Sequence, residues 1–219
     1  MVRERIAAAA RRGGRDPAAV TVVAVTKTLP VADVLAAAAA GQTEFGENRV
    51  QEAQVKVAAL PGATWHLVGR LQTNKARDAA GLFGLIHSLD RFELAVALDR
   101  AGRALGRPCR ALIQVNSAAN PGQGGVAPAA LDDFVEKMTG LTYLHICGLM
   151  ALGPHPAGAD EVREAFRRTR AAFERLAPRM GERFGILSLG MSEDFETAVE
   201  EGSSMVRIGT ALFGPRERP

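Results

Sequence analysis

The chain alternates short β-branched runs with longer stretches whose apolar residues recur every three or four positions, and this exchange is the signature of parallel strands joined by crossover helices. Strands are predicted at residues 20–25, 44–45, 64–68, 85–87, 109–115, 143–149, 186–189 and 205–208. Between them, Val162, Phe166, Thr169, Phe173 and Leu176 mark one buried helical stripe, and Leu131, Phe134, Val135 and Met138 mark another. An Ala-rich helix over 31–40 stops at Gly41, and one beginning near Arg49 stops at Pro61-Gly62. Eight strand-helix units at about 24 residues each suit a small single-domain (β/α)₈ TIM barrel spanning 1–219, with an extra N-terminal helix over 3–12. An open doubly wound sheet has the same alternation, but no Gly-x-Gly-x-x-Gly turn follows the first strand to support one.

A barrel places its chemistry where strands end and helices begin. Lys27 follows the first strand, and alternation sets it on the face of Val23 and Val25, toward the barrel mouth. Desolvated there, its amine is a candidate Schiff-base former; a surface lysine after a strand reads equally well. Ser192 lies in Gly190-Met191-Ser192-Glu193-Asp194, where a glycine and a hydroxyl can cradle an anion or simply cap a helix. Met205-Val206-Arg207-Ile208-Gly209-Thr210 closes the last strand with a second glycine and hydroxyl. Arg207 is expected to look inward and therefore to need a partner: a phosphate, an aromatic nitrogen, Asp194 or Glu193. Phe45-Gly46-Glu47-Asn48 and the stretch from Trp65-His66 to Asn74-Lys75 are more polar than packing demands. His66 reads as a hydrogen-bonded core or rim histidine, since His87, His145 and His155 offer no metal spacing with it, and no metal site is predicted.

Composition narrows the classes without choosing among them. Hydrophobic residues make up 47% and charged residues 23%, which is ordinary globular usage, and the longest apolar runs are too short to span a bilayer, so no membrane partner is expected. A net charge of +3 invites a nucleic-acid reading, but the arginines are mostly interleaved with acids and aromatics for stacking on bases are scarce, one Trp, one Tyr and nine Phe; no nucleic-acid partner is expected either. Cys109 and Cys147 stand apart in apolar runs and read as reduced core residues. No export segment is evident, which favours the cytoplasm.

Ala24-Val25-Thr26-Lys27-Thr28, Phe45-Gly46-Glu47-Asn48, Trp65-His66 with Gly69, Leu71-Gln72-Thr73-Asn74-Lys75, Gly148-Leu149-Met150 and the two glycine-hydroxyl loops together resemble the pyridoxal phosphate homeostasis proteins, whose fold is similar to the N-terminal barrel of alanine racemase. The resemblance covers nearly the whole chain. It implies that Lys27 carries pyridoxal 5′-phosphate (PLP) as an internal aldimine, that Ser192 and the backbone of Gly209 and Thr210 hold the phosphate, that Arg207 faces the pyridine nitrogen, and that Asn48 lines the pocket. It further implies a monomeric protein that buffers PLP in the cell, or delivers it to PLP-dependent apoenzymes, rather than an enzyme. A cationic arginine at the pyridine nitrogen makes the ring a poor electron sink, and related racemases draw a second base from a C-terminal domain that this sequence does not reach. The alternatives are a PLP-dependent amino-acid racemase of low activity and a cofactor-free barrel aldolase using Lys27. The loop 116–125 departs from the family in lacking its acidic and lysine residues, and Arg70 stands where the family often has another residue.

Overall fold

In the computed structural model, which describes residues 1–117 and 122–215, eight parallel strands pair in sequence order into a closed barrel. They are β1 (Thr21–Val25), β2 (Glu44–Glu47), β3 (Thr64–Leu67), β4 (Leu85–Leu89), β5 (Cys109–Val115), β6 (Leu144–Ala151), β7 (Ile186–Ser188) and β8 (Met205–Ile208). Closure is made by β1 against β8, from Thr21 opposite Met205 to Ala24 opposite Ile208, and this excludes the open sheet. Strand alternation then divides the core into two shells. Val23, Leu85, Leu112, Cys147, Met150 and Met205 fill the barrel interior. Ala24, Phe45, Trp65, Leu67 and Ile113 turn outward to meet the helices, Phe45 stacking on Trp65 at 5.3 Å. Cys109 and Cys147 are both free and buried.

The helices are α1 (Val2–Arg12), α2 (Val31–Ala39), α3 (Val50–Ala59), α4 (Ala76–Leu82), α5 (Phe92–Ala104), α6 (Leu131–Lys137), α7 (Ala159–Met180), α8 (Phe195–Glu200) and α9 (Thr210–Phe213). The expected stripe on α7 is present: Val162, Phe166, Thr169 and Leu176 are buried. Because α9 is a single turn, it cannot cover β8. That task falls to α1, whose Val2, Ile6, Ala9 and Ala10 pack against Phe195, Val199, Val206 and Ile208. Arg5 and Arg12 add ion pairs to Glu196 and Glu200 of α8.

Six strands differ from expectation: β1, β3 and β7 are each one residue shorter, and β2, β4 and β6 run further, the first two of these through a polar residue. Glu47 extends β2, and Ser88 lies within a β4 that continues to Leu89; both break an apolar run yet are buried. Strand β6 starts one residue later than expected and runs on to Ala151, with an irregularity against β5 between Ala111 and Leu112. Gly148 sits beside it at φ 150°, where a Cβ would lie 1.8 Å from the Ile186 carbonyl oxygen, so only glycine lets β6 pass β7 so closely. Among the described residues, no helix is long and apolar enough to cross a membrane.

Candidate functional site

At the C-terminal ends of the strands lies a cavity of about 880 Å³, and all six predicted site residues, Lys27, Asn48, Ser192, Arg207, Gly209 and Thr210, line it. Val25, Val68, Met150 and Leu152 form its apolar floor and walls. The polar groups stand on opposite sides.

On the β1 side, Lys27 is exposed, which decides between the two readings left open by strand alternation in favour of the surface lysine: the strand stops at Val25, and the turn lifts the side chain into the open mouth. That turn is held from behind. Thr26 donates its hydroxyl to Glu47 Oε1 at 2.6 Å, and Lys56 Nζ of α3 donates both to Glu47 Oε1 and to the Thr26 carbonyl, each at 2.7 Å. Glu47 is fully buried and Lys56 is 6% exposed. Thr28, next to Lys27, takes φ 66°, a left-handed conformation unusual for a β-branched residue. Asn48 is half-buried on the adjoining loop. There the backbone of Gly69 comes so close that a Cβ would sit 2.3 Å from the Asn48 carbonyl oxygen.

On the β7–β8 side, Arg207 is 4% exposed. It donates Nη1 to the Ser188 carbonyl at 2.8 Å and to Ser188 Oγ at 2.6 Å, and Nη2 to the Ala151 carbonyl at 2.9 Å. Of the partners open to it, the direct ones are thus a hydroxyl and two carbonyls rather than Asp194 or Glu193. Burial lowers its pKa to about 10, partly offset by the charge of Asp194, so it remains cationic at neutral pH. Asp194 accepts from the Met191 N–H at 2.6 Å, and burial pushes its carboxyl above the usual carboxylate range. Ser192 does not cap α8, whose N-cap is Asp194. Its Oγ instead accepts from the Gly209 and Ala211 N–H groups, each at 3.2 Å, and so ties the loop after β7 to the loop after β8.

An accessible primary amine, a buried donor-only cation and a corner of hydroxyl and backbone N–H groups are together suited to a small anionic carbonyl compound carrying a ring acceptor. Over residues 2–217 the sequence matches the family model for the alanine racemase N-terminal domain. It is 41% identical over 223 residues to the pyridoxal phosphate homeostasis protein of Escherichia coli K12, covering 99% of this chain and 94% of that one. The chain belongs to the pyridoxal phosphate homeostasis family. Another likeness is to PipY of Synechococcus elongatus PCC7942 in its structure with PLP bound: TM-score 0.84, 40% identity, 98% of this chain and 100% of that chain. Alanine racemase from Streptomyces coelicolor A3(2) superposes with a TM-score of 0.72 at 22% identity, over 98% of this chain and 58% of the racemase, which establishes likeness of fold alone.

Sequence reasoning missed the clamp of Glu47, Lys56 and Thr26, because a buried ion pair between a strand and a helix leaves no periodic trace. It also missed Ser188, Met150 and Leu152, although their place near the ends of predicted strands was a usable signal. His66 is a buried, hydrogen-bonded core histidine as expected, and the described residues contain no cluster of metal ligands. Of the divergent loop 116–125, residues 118–121 lie outside the described residues. Arg70 is exposed at the rim, 3.6 Å from Asp90.

Proposed function

We propose that the chain works as one PLP-binding barrel over residues 1–219, a monomeric cytoplasmic carrier that holds PLP covalently through Lys27 and buffers it, or passes it to PLP-dependent apoenzymes, without robust turnover of its own. The observation that carries this reading is the single cavity bringing an exposed lysine opposite a buried arginine and a hydroxyl-amide corner. The family membership and the likeness to the PLP-bound structure of PipY support it.

The residues present fit the cofactor by donor chemistry. Lys27 would hold PLP through its exposed Nζ, a primary amine able to capture an aldehyde reversibly with release of water and no external energy. Ser192 and the backbone of Thr210 would supply hydrogen-bond donors to a phosphate; Ser192 Oγ, accepting from the Gly209 and Ala211 N–H groups, still has its own proton to give, whereas the Gly209 N–H would have to be shared between Ser192 and the phosphate. Arg207 can only donate, so it meets a pyridine nitrogen as a hydrogen-bond donor and leaves that nitrogen unprotonated. Asn48 borders the ring. When bound, PLP supplies a carbonyl and an electron-withdrawing ring, and Arg207 limits the second of these, which favours carriage over amino-acid chemistry.

The test is the visible absorption spectrum of protein mixed with PLP. A visible band is expected in the parent and not in Lys27→Ala; its persistence in the variant overturns the attachment. Racemisation of L- or D-amino acids at about one turnover per second or faster overturns the carrier reading in favour of an enzyme.

A further inference from the structure

The barrel interior is not uniformly apolar. Four hydrogen bonds cross it in an unbroken line, from the N-terminal end of β2 to the cavity at the opposite face. Glu44 Oε2 lies 2.6 Å from His66 Nε2, His66 Nδ1 lies 3.0 Å from His87 Nε2, His87 Nδ1 lies 3.2 Å from Ser188 Oγ, and Ser188 Oγ lies 2.6 Å from Arg207 Nη1. His66, His87, Ser188 and Arg207 are all buried, whereas the Glu44 side chain is 27% exposed.

The two ends determine every proton between them. Arg207 can only donate, so Ser188 accepts from it and has its own proton left to give. In this line that proton goes to His87 Nδ1, which puts the His87 hydrogen on Nε2. His66 Nδ1 accepts that hydrogen, and the His66 hydrogen on Nε2 then meets the Glu44 carboxylate. At the far end the hydrogen bond from His66 holds the Glu44 carboxyl below its usual range, so it is an ionised, acceptor-only group. In the middle, burial above all holds the His87 pKa well below 6.5, consistent with a neutral ring. Doubly protonating His66 would instead reverse His87 and leave the Ser188 hydroxyl proton with no acceptor in the line. The other charged groups bearing on the line are Arg110, which acts on Glu44, and Asp194, which acts on Arg207.

We propose that Glu44, His66, His87 and Ser188 form a one-directional relay of positioning residues that orients Arg207 toward the cavity and makes ligand retention there depend on the charge of Glu44 at the opposite face. Aligned hydrogen bonds polarise one another in a low-dielectric interior, so a carboxylate at one end strengthens the acceptor that Arg207 meets at the other. None of the four lines the cavity; each acts through the guanidinium. The link to retention rests on the PLP reading above, while the direction of the relay does not.

The first measurement therefore uses cofactor-free protein. Long-range ¹H–¹⁵N spectra of histidine-labelled full-length chain near neutral pH are expected to show His66 and His87 both as neutral rings protonated at Nε2. An Nδ1-protonated or doubly protonated ring at either position overturns the relay. The second is a cycle of Glu44→Gln and Ser188→Ala, read as the rate of PLP loss. Glu44→Gln, at a partly exposed strand end, is expected to move the His87 ¹⁵N signals and to speed loss about threefold or more. In the Ser188→Ala background, where the line is cut, the same substitution is expected to have no effect. Equal effects of Glu44→Gln in both backgrounds, or none in either, overturn the coupling, and Ser188→Thr should restore it. If the parent fails to take up PLP at all, the carrier reading falls, and the histidine spectra still decide the relay.

Discussion

The two sides of the cavity solve opposite problems. On the β1 side the functional group is exposed and its support is buried: Lys27 stands in the open mouth, while Glu47, Lys56 and Thr26 lock the turn beneath it. On the β7–β8 side the functional group is itself buried, and Arg207 spends its donors on Ser188 and Ala151 within the barrel. A nucleophilic amine must reach and leave its electrophile, so access matters and rigidity is supplied from behind. A recognition cation gains strength by desolvation, so it is sunk into the wall and surrounded by acceptors. On the carrier reading proposed above, covalent capture and electrostatic grip are built separately, and substitutions should separate them.

The sharpest break is at Lys27: Lys27→Ala should abolish the visible band entirely while leaving the urea midpoint near that of the parent, because an exposed side chain contributes little to folding. Behind it, Lys56→Ala leaves Glu47 buried without its cation, and equilibrium urea unfolding should report a loss of about 3–5 kcal/mol. Ser192→Ala spares the amine but removes the bridge between the two loops, so equilibrium dialysis should report PLP held roughly tenfold less tightly, with the visible band still forming at high PLP. The arginine side should also be acid-labile. The folded His87 pKa is depressed, by burial first and then by His66 and Arg207, so its contribution is complete above about pH 6.5 and is lost as pH falls from there. Urea midpoints should decline over that window with a slope of up to about 1.4 kcal/mol per pH unit, and His87→Asn should flatten it. The smallest effect is expected at Thr28: glycine relieves its left-handed backbone, and Thr28→Gly should raise stability by about 1 kcal/mol or less once the added chain entropy is subtracted.

Legibility in the sequence followed the same division. Strands and helices were readable because each buries one face, so β-branched runs and the α7 stripe repeat with the geometry that buries them. The residues at the mouth were readable too, since Lys27, Ser192, Arg207 and Gly209 fall just where apolar runs stop. Burial was not. Alternation along β1 left a desolvated and a surface Lys27 equally open, because it cannot foresee how far a turn carries a side chain past its strand. It likewise gave no hint that Glu47 belongs to β2, because the compensating charge is on α3, nine residues away. The partners of His66 and His87 lie on four different strands, and only barrel closure brings them into line.

That α1 stands in for the helix missing over β8 has a consequence for biosynthesis. Its apolar stripe meets partners made much later, Arg5 pairing with a glutamate 191 positions further on. During synthesis α1 must therefore wait, unpartnered, until α8 and β8 have followed it, and the seam between β8 and β1 cannot be sealed before then.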